Sequence, residues 1–155
     1  MIGIPAAEMI VSGMTNPPAV THGRSRASYS PKDDEISMPS RESFQSDESY
    51  FAVLFHELTH STGAKSRLDR PLESRSYQGG ESYGKEELIA ELGASFLCSQ
   101  ARISSVTEDG SASYLAEWIK VLKGNPKMIL QASGPALKAS RYIMDTLPKE
   151  TATEA

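Results

Sequence analysis

Residues Tyr50–Gly63, YFAVLFHELTHSTG, hold two of the three histidines in this 155-residue chain, His56 and His60, four apart with Glu57 after the first. At about 100° per residue, Phe51, Leu54, Phe55 and Leu58 make one compact apolar stripe beside Tyr50, which predicts a helix that turns this stripe to the core. His56 and His60 fall nearly opposite the stripe, away from the main core, with Glu57 beside them. A satisfied core histidine belongs inside the stripe, and two unrelated surface histidines have no reason to share a face. Two imidazoles one turn apart can both reach a zinc ion, and a glutamate directly after the first can touch water on that ion, which is the mechanical content of HExxH.

The helix is expected to begin within SRESFQSDESY, where Ser and Asp supply N-caps and acidic residues suit the first turn, and to stop at Gly63 as a C-cap. A catalytic zinc usually takes a third protein ligand and leaves its fourth position to water. His22, in a flexible-looking segment before GRS, could sit in the cleft, but the second helix offers a better answer. KEELIAELGASFLCSQARI reads as a second helix whose apolar stripe is Leu88, Ile89, Leu92 and Phe96. Glu87, Glu91, Ala94 and Cys98 share another face, while Glu86 points elsewhere. Small residues let a partner helix approach, so a carboxylate at the head of that face can reach the partner's metal. Glu87 is therefore the expected third ligand, with Glu91 one turn on as the acceptor that orients a ligand histidine through its other ring nitrogen. Helical phase alone does not rank the two.

Around these helices the chain reads as one domain over residues 1–148, with a disordered tail at 149–155. Ala6 to Met14 is a short helix ended by TNPP. Ala27 to Ser30 and Glu35 to Met38, joined by PKDD, make a hairpin whose second strand could take up extended peptide by strand addition. Residues 64–84 read as a long loop, in which Lys65, Arg67, Arg70 and Arg75 are solvated. A third helix in ASYLAEWIKVLK aligns Leu115, Trp118, Ile119 and Leu122, and a last one from Lys127 to Leu147 is expected to bend at Gly134 and Pro135. The fold class is α+β and mostly helical, with the short hairpin beside the HExxH helix.

Composition narrows the function. With 39% hydrophobic and 23% charged residues the chain is ordinary globular material. One cysteine, Cys98, excludes an internal disulfide or a multi-cysteine zinc knuckle and suits a reducing compartment, so a metal must be held by His, Asp or Glu. The first residues show neither a signal peptide nor a membrane span, and the expected location is the cytoplasm, with no membrane partner. A net charge of −4 argues against direct nucleic-acid binding by this domain.

Taken together, the HExxH and the downstream glutamate helix resemble the glutamate-zincins. The longer stretches MPSRESFQSDESYFAVLFHELTHSTGAKSRLDR, YGKEELIAELGASFLC and YLAEWIKVLKGNPKMIL resemble the C-terminal zincin-like metallopeptidase domain of ArdC-type antirestriction proteins of plasmids and phages. The resemblance implies zinc at His56, His60 and Glu87, Glu57 as catalytic base, and a peptide or protein substrate. The interval from His60 to Glu87 is also similar to that of the ImmA/IrrE-type peptidases. In the ArdC-type family the domain usually follows an N-terminal single-stranded-DNA-binding domain, which this chain is expected to lack. The match loosens where Leu137 and Arg141 replace an expected glutamine and acidic residue. The function expected is zinc-dependent peptide hydrolysis; the alternative is an antirestriction or DNA-associated accessory module with a structural or vestigial zinc. Tyr29, Tyr77, Tyr83, Tyr142 and His22 are the conceivable oxyanion donors, and the sequence ranks none of them.

Overall fold

The computed structural model describes residues 4–72, 77–78, 84–104 and 112–147, with the side chains of 77–78 and 112–115 left out. The expected tail at 149–155, Arg75 and Tyr83 lie outside the described residues.

Pro5 opens α1 (Pro5–Gly13), where its missing N–H loses nothing and its fixed φ suits the first turn. Three strands follow, β1 (Ala19–His22), β2 (Ser28–Ser30) and β3 (Glu35–Met38), and β4 (Tyr77–Gln78) joins later. The expected hairpin is β2 and β3, antiparallel with Tyr29 opposite Ile36. Its turn ends on Asp34 at φ 51, a left-handed position that aspartate tolerates. Tyr29, Ile36 and Met38 point into the core. The sheet has four strands in the order β1-β3-β2-β4, with β1 parallel to β3. β3 is therefore interior, paired on both sides, and has no free edge for strand addition; the edges are β1 and β4. β1 left no period-2 signal because it is exposed at all positions but Val20.

α2 (Asp47–Ser61) carries the HExxH, and the Ser46 side chain caps it by accepting from the Ser49 N–H. It ends at Ser61 with Thr62 in right-handed conformation, so Gly63 is not the left-handed cap expected of it. Gly63 is instead packed so closely under Leu72 that a Cβ would stand 2.9 Å from its side chain.

α3 (Lys85–Gln100) lies between α2 and α5 (Lys127–Ile143), and α4 (Ala112–Gly124) packs on α5. Buried between two helices, α3 needs two apolar faces. Ala94, Leu97 and Cys98 join the main core with α1, the sheet and α2, while Leu88 and Ile89 meet Trp118, Ala132 and Ala136 in a second core. The α4 stripe differs from the expected one: Trp118 is buried and Val121 and Leu122 pack beside it, but Ile119 is exposed. Leu115's side chain lies outside the described residues. α5 runs through Gly134 and Pro135 as one helix. Pro135 deprives the Gln131 carbonyl of its partner, but Gln131 faces water, and the buried Ala132, Ala136 and Ala139 hold both halves on one face.

Candidate metal centre

His56 and His60 stand on the C-terminal half of α2, facing the first turns of α3. The helices can meet there because residue 93 is glycine: a Cβ on Gly93 would lie 2.5 Å from Cγ2 of Thr59. Glu87 reaches across this contact with both oxygens. Its Oε1 is 2.9 Å from Nε2 of His56 and its Oε2 is 3.2 Å from Nε2 of His60. The possible ligand atoms of His56, His60 and Glu87 all lie within 4.8 Å of one another, the one such group among the described residues.

The outer ring nitrogens have carboxylates of their own. Nδ1 of His56 is 3.3 Å from Oε1 of Glu91, and Nδ1 of His60 is 2.8 Å from Oε2 of Glu86. Glu86 therefore does not point elsewhere. The face of α3 turned to α2 is broader than the small-residue stripe, because Ala90, Gly93 and Leu97 are buried as well, and Glu86 sits on its far side.

The reading of residues 64–84 as a solvated loop also fails where they are described. Leu68 N–H donates to the Thr62 carbonyl and Arg70 N–H to that of Gly63, which folds the segment back on the end of α2. Arg70 donates from Nε and Nη2 to the two oxygens of Glu86, at 2.7 and 3.0 Å. Arg67, its side chain buried, pairs with Asp34 and donates to the carbonyls of Ser61 and Asn16. Of the described basic residues in this segment, Lys65 is solvated as expected. The arginines supply the positive charge and multiple donors that let a polar segment pack as a structured turn.

Four carboxylates around two imidazoles set the electrostatics. Burial opposes charge on His56, but its bonds to Glu87 and Glu91 outweigh burial and hold its pKa well above the ordinary value. His60 is raised in the same way, against burial, by Glu86 and Glu87. Glu87, despite burial, is drawn down to about 2 by the two histidines. Glu57 goes the other way: burial pushes its carboxyl up, with only partial relief from His56 and His60. Its Oε2 is buried and has no hydrogen-bond partner among the described residues. A buried acceptor left open beside two converging imidazoles has a vacant hydrogen-bonding direction for a water or a substrate group.

The other sequence candidates lie elsewhere. His22 belongs to β1, and its Nε2 is 2.7 Å from the Tyr50 hydroxyl, stacked on that ring in the first turn of α2. It is neither in a flexible segment nor grouped with His56 and His60. Tyr29 is buried and donates to Asp34, and Tyr142 donates to the Thr15 carbonyl, so both hydroxyls serve the fold. Tyr77 is on β4, its side chain not described.

A family model described as zincin-like metallopeptidase matches residues 5–135. Among curated proteins the chain is 36% identical over 124 residues to the protein y4eC of Sinorhizobium fredii, spanning 80% of this chain and 40% of that one. It is 38% identical over 127 residues to a DNA primase TraC of Escherichia coli, spanning 81% of this chain and 8% of the primase. Among solved structures it resembles the Mn(II)-bound antirestriction ArdC protein from the R388 plasmid, with a TM-score of 0.68, 33% identity, and coverage of 96% of this chain and 53% of that one. The metal-free form of that protein gives a TM-score of 0.65 at 35% identity, covering 92% of this chain and 49% of that one. The chain thus spans about half or less of the length of each of these proteins. Two helices that bring an HExxH pair onto a downstream glutamate, in a chain matched over most of its length, give one conclusion: the chain belongs to the zincin-like metallopeptidase family.

Proposed function

We propose that the protein is a metal-dependent peptidase domain in which His56, His60 and Glu87 hold a zinc ion and Glu57 is the general base. The observation that carries this reading is the convergence of both Nε2 atoms on the Glu87 carboxylate, beside a buried Glu57 oxygen without a partner among the described residues. Two imidazoles and a carboxylate suit zinc with one position open, and the carboxylates on both Nδ1 atoms are the partners such ligands need. Manganese in the similar ArdC structure supports a divalent cation of this kind.

The chemistry such a cation supplies is Lewis acidity, polarising a peptide carbonyl and making a water acidic enough to attack near neutral pH. The residues do the rest. Glu57 Oε2 accepts the proton of the attacking water as oxygen bonds to the carbonyl carbon, and returns a proton to the amide nitrogen as the C–N bond breaks. Glu86 and Glu91 hold the imidazoles by their outer nitrogens. The substrate is a peptide or protein, in a cytoplasmic setting that suits the single buried thiol of Cys98.

A second reading is favoured by the names of the relatives: an antirestriction protein and a DNA primase, each much longer than this chain. On this reading the domain is an accessory module of a DNA-associated protein, working beside a single-stranded-DNA-binding domain, with a structural or vestigial metal. The intact Glu57 speaks for catalysis, since a structural zinc has no use for a base and closes its fourth position.

Elemental analysis of protein purified without added metal, with Glu57→Gln and His60→Ala beside it, separates these. We expect close to one zinc per wild-type chain, none held tightly by His60→Ala, and metal retained with peptidase activity lost in Glu57→Gln. An unchanged rate in Glu57→Gln on a substrate the wild type cleaves removes Glu57 from its role. Metal in both proteins with no cleavage by either favours the accessory module.

A further inference from the structure

We propose that Arg70 is a positioning residue of the metal centre, acting on His60 through Glu86; this rests on the function proposed above. The two Arg70 bonds to Glu86, one to each oxygen, form a fork that a carboxylate accepts with its plane fixed. Oε2 of the same carboxylate lies 2.8 Å from Nδ1 of His60. An ionised carboxylate only accepts, so Nδ1 must carry a proton and donate it to Glu86, which leaves Nε2, facing Glu87, as the atom that would hold the metal. Without the fork Glu86 can rotate, and the imidazole loses the acceptor that fixes its ring plane. Arg70 sets the orientation of a ligand it does not touch.

The rest of the guanidinium supplies a rival account. Arg70 Nη1 donates to Oγ1 of Thr62 at 2.8 Å and Nη2 to the Thr59 carbonyl at 3.0 Å, which straps the end of α2 to the start of α3. A strap alone adds stability and does nothing to the imidazole. Lysine cannot reproduce the fork, being a point charge with no planar pair of donors, so it tests geometry apart from charge.

The test uses the whole chain and three variants, Arg70→Met, Arg70→Lys and Thr62→Val. Proton–nitrogen NMR on the zinc-loaded protein reads how well the His60 Nδ1 proton is held against exchange with solvent, chelator competition reads zinc and manganese affinity, and thermal unfolding reads the strap. Arg70→Met should speed exchange of the His60 Nδ1 proton and weaken zinc about 10- to 100-fold, with Arg70→Lys between it and the wild type. Thr62→Val should lower the melting temperature with the Nδ1 proton and affinity unchanged. Should Arg70→Met fail to fold, Arg70→Lys decides on the same two readouts. Arginine variants that melt earlier yet keep the wild-type Nδ1 proton exchange and affinity overturn the proposal and leave Arg70 as a strap. If the wild type binds neither metal, the proposed function falls, and the same exchange read on the metal-free protein decides whether Arg70 acts on His60.

Discussion

At the scale of single residues, the question is how three consecutive or near-consecutive glutamates of one helix divide their work. Glu87 touches both Nε2 atoms, whereas Glu86 and Glu91 each meet one Nδ1. Loss of a carboxylate that only orients a ligand typically costs about 10- to 100-fold in metal affinity, and loss of a ligand costs more. In chelator competition Glu87→Ala should therefore weaken zinc far more than Glu91→Ala. Glu86→Ala, which helical phase alone would leave near wild type, should fall with Glu91→Ala. A Glu91→Ala variant weaker than Glu87→Ala would move the third ligand one turn along the helix. HExxH is legible because it is local, with its two histidines four residues apart on successive turns of one helix. The role of Glu86 is not, because it depends on which side of α3 meets α2.

At the scale of elements, the centre depends on how near α2 and α3 can come. The expectation that small residues mark the α2-facing side of α3 holds for Ala94 and Cys98, which are buried. The closest approach, however, is at Gly93 over Thr59. Gly93→Ala must shift one helix or force a side chain off its rotamer, at a cost of about 1–3 kcal/mol by the usual scale of overpacking. In a Thr59→Ala background, which removes Cγ2 and Oγ1, the same substitution should cost less, and urea unfolding of the four proteins measures the difference. Equal costs in both backgrounds would mean that the helices do not touch at this point.

For the whole molecule, the small sheet is tied to the end of α2 by one polar knot. Arg67 bridges Asp34 to the Ser61 carbonyl, and Asp34 also accepts from the buried Tyr29 hydroxyl. The hydrogen bond from Arg67 holds the Asp34 carboxyl below its ordinary range despite burial. That contribution is complete above the unfolded aspartate pKa of about 3.9 and is lost as pH falls through the lower folded value. Burial, with Asp34 next in effect, raises Tyr29 to about 12. Its contribution is complete below the unfolded value of about 10 and is lost as pH rises toward the folded one. Stability should therefore decline at both ends, and Tyr29→Phe should flatten the decline between roughly pH 10 and 12, read by urea midpoints across the range. An alkaline limb unchanged in Tyr29→Phe would show that other groups produce it.

The two site helices, the hairpin and the HExxH were determined by the sequence alone, because amphipathic period, capping and turn chemistry are properties of a few neighbouring residues. The family resemblance added the choice of Glu87 over Glu91, which phase could not make. Tertiary structure decided the rest. β1 is held by pairing with β3 while most of its side chains face water, so it carries no pattern to read. Arg67 and Arg70 look solvated until a folded turn brings Asp34 and Glu86 to them. α3 has most of its surface divided between α2 and α5, and only their positions say which face of each glutamate's turn belongs to the site. Such assignments rest on contacts between residues far apart in the chain, and local periodicity holds no information about those.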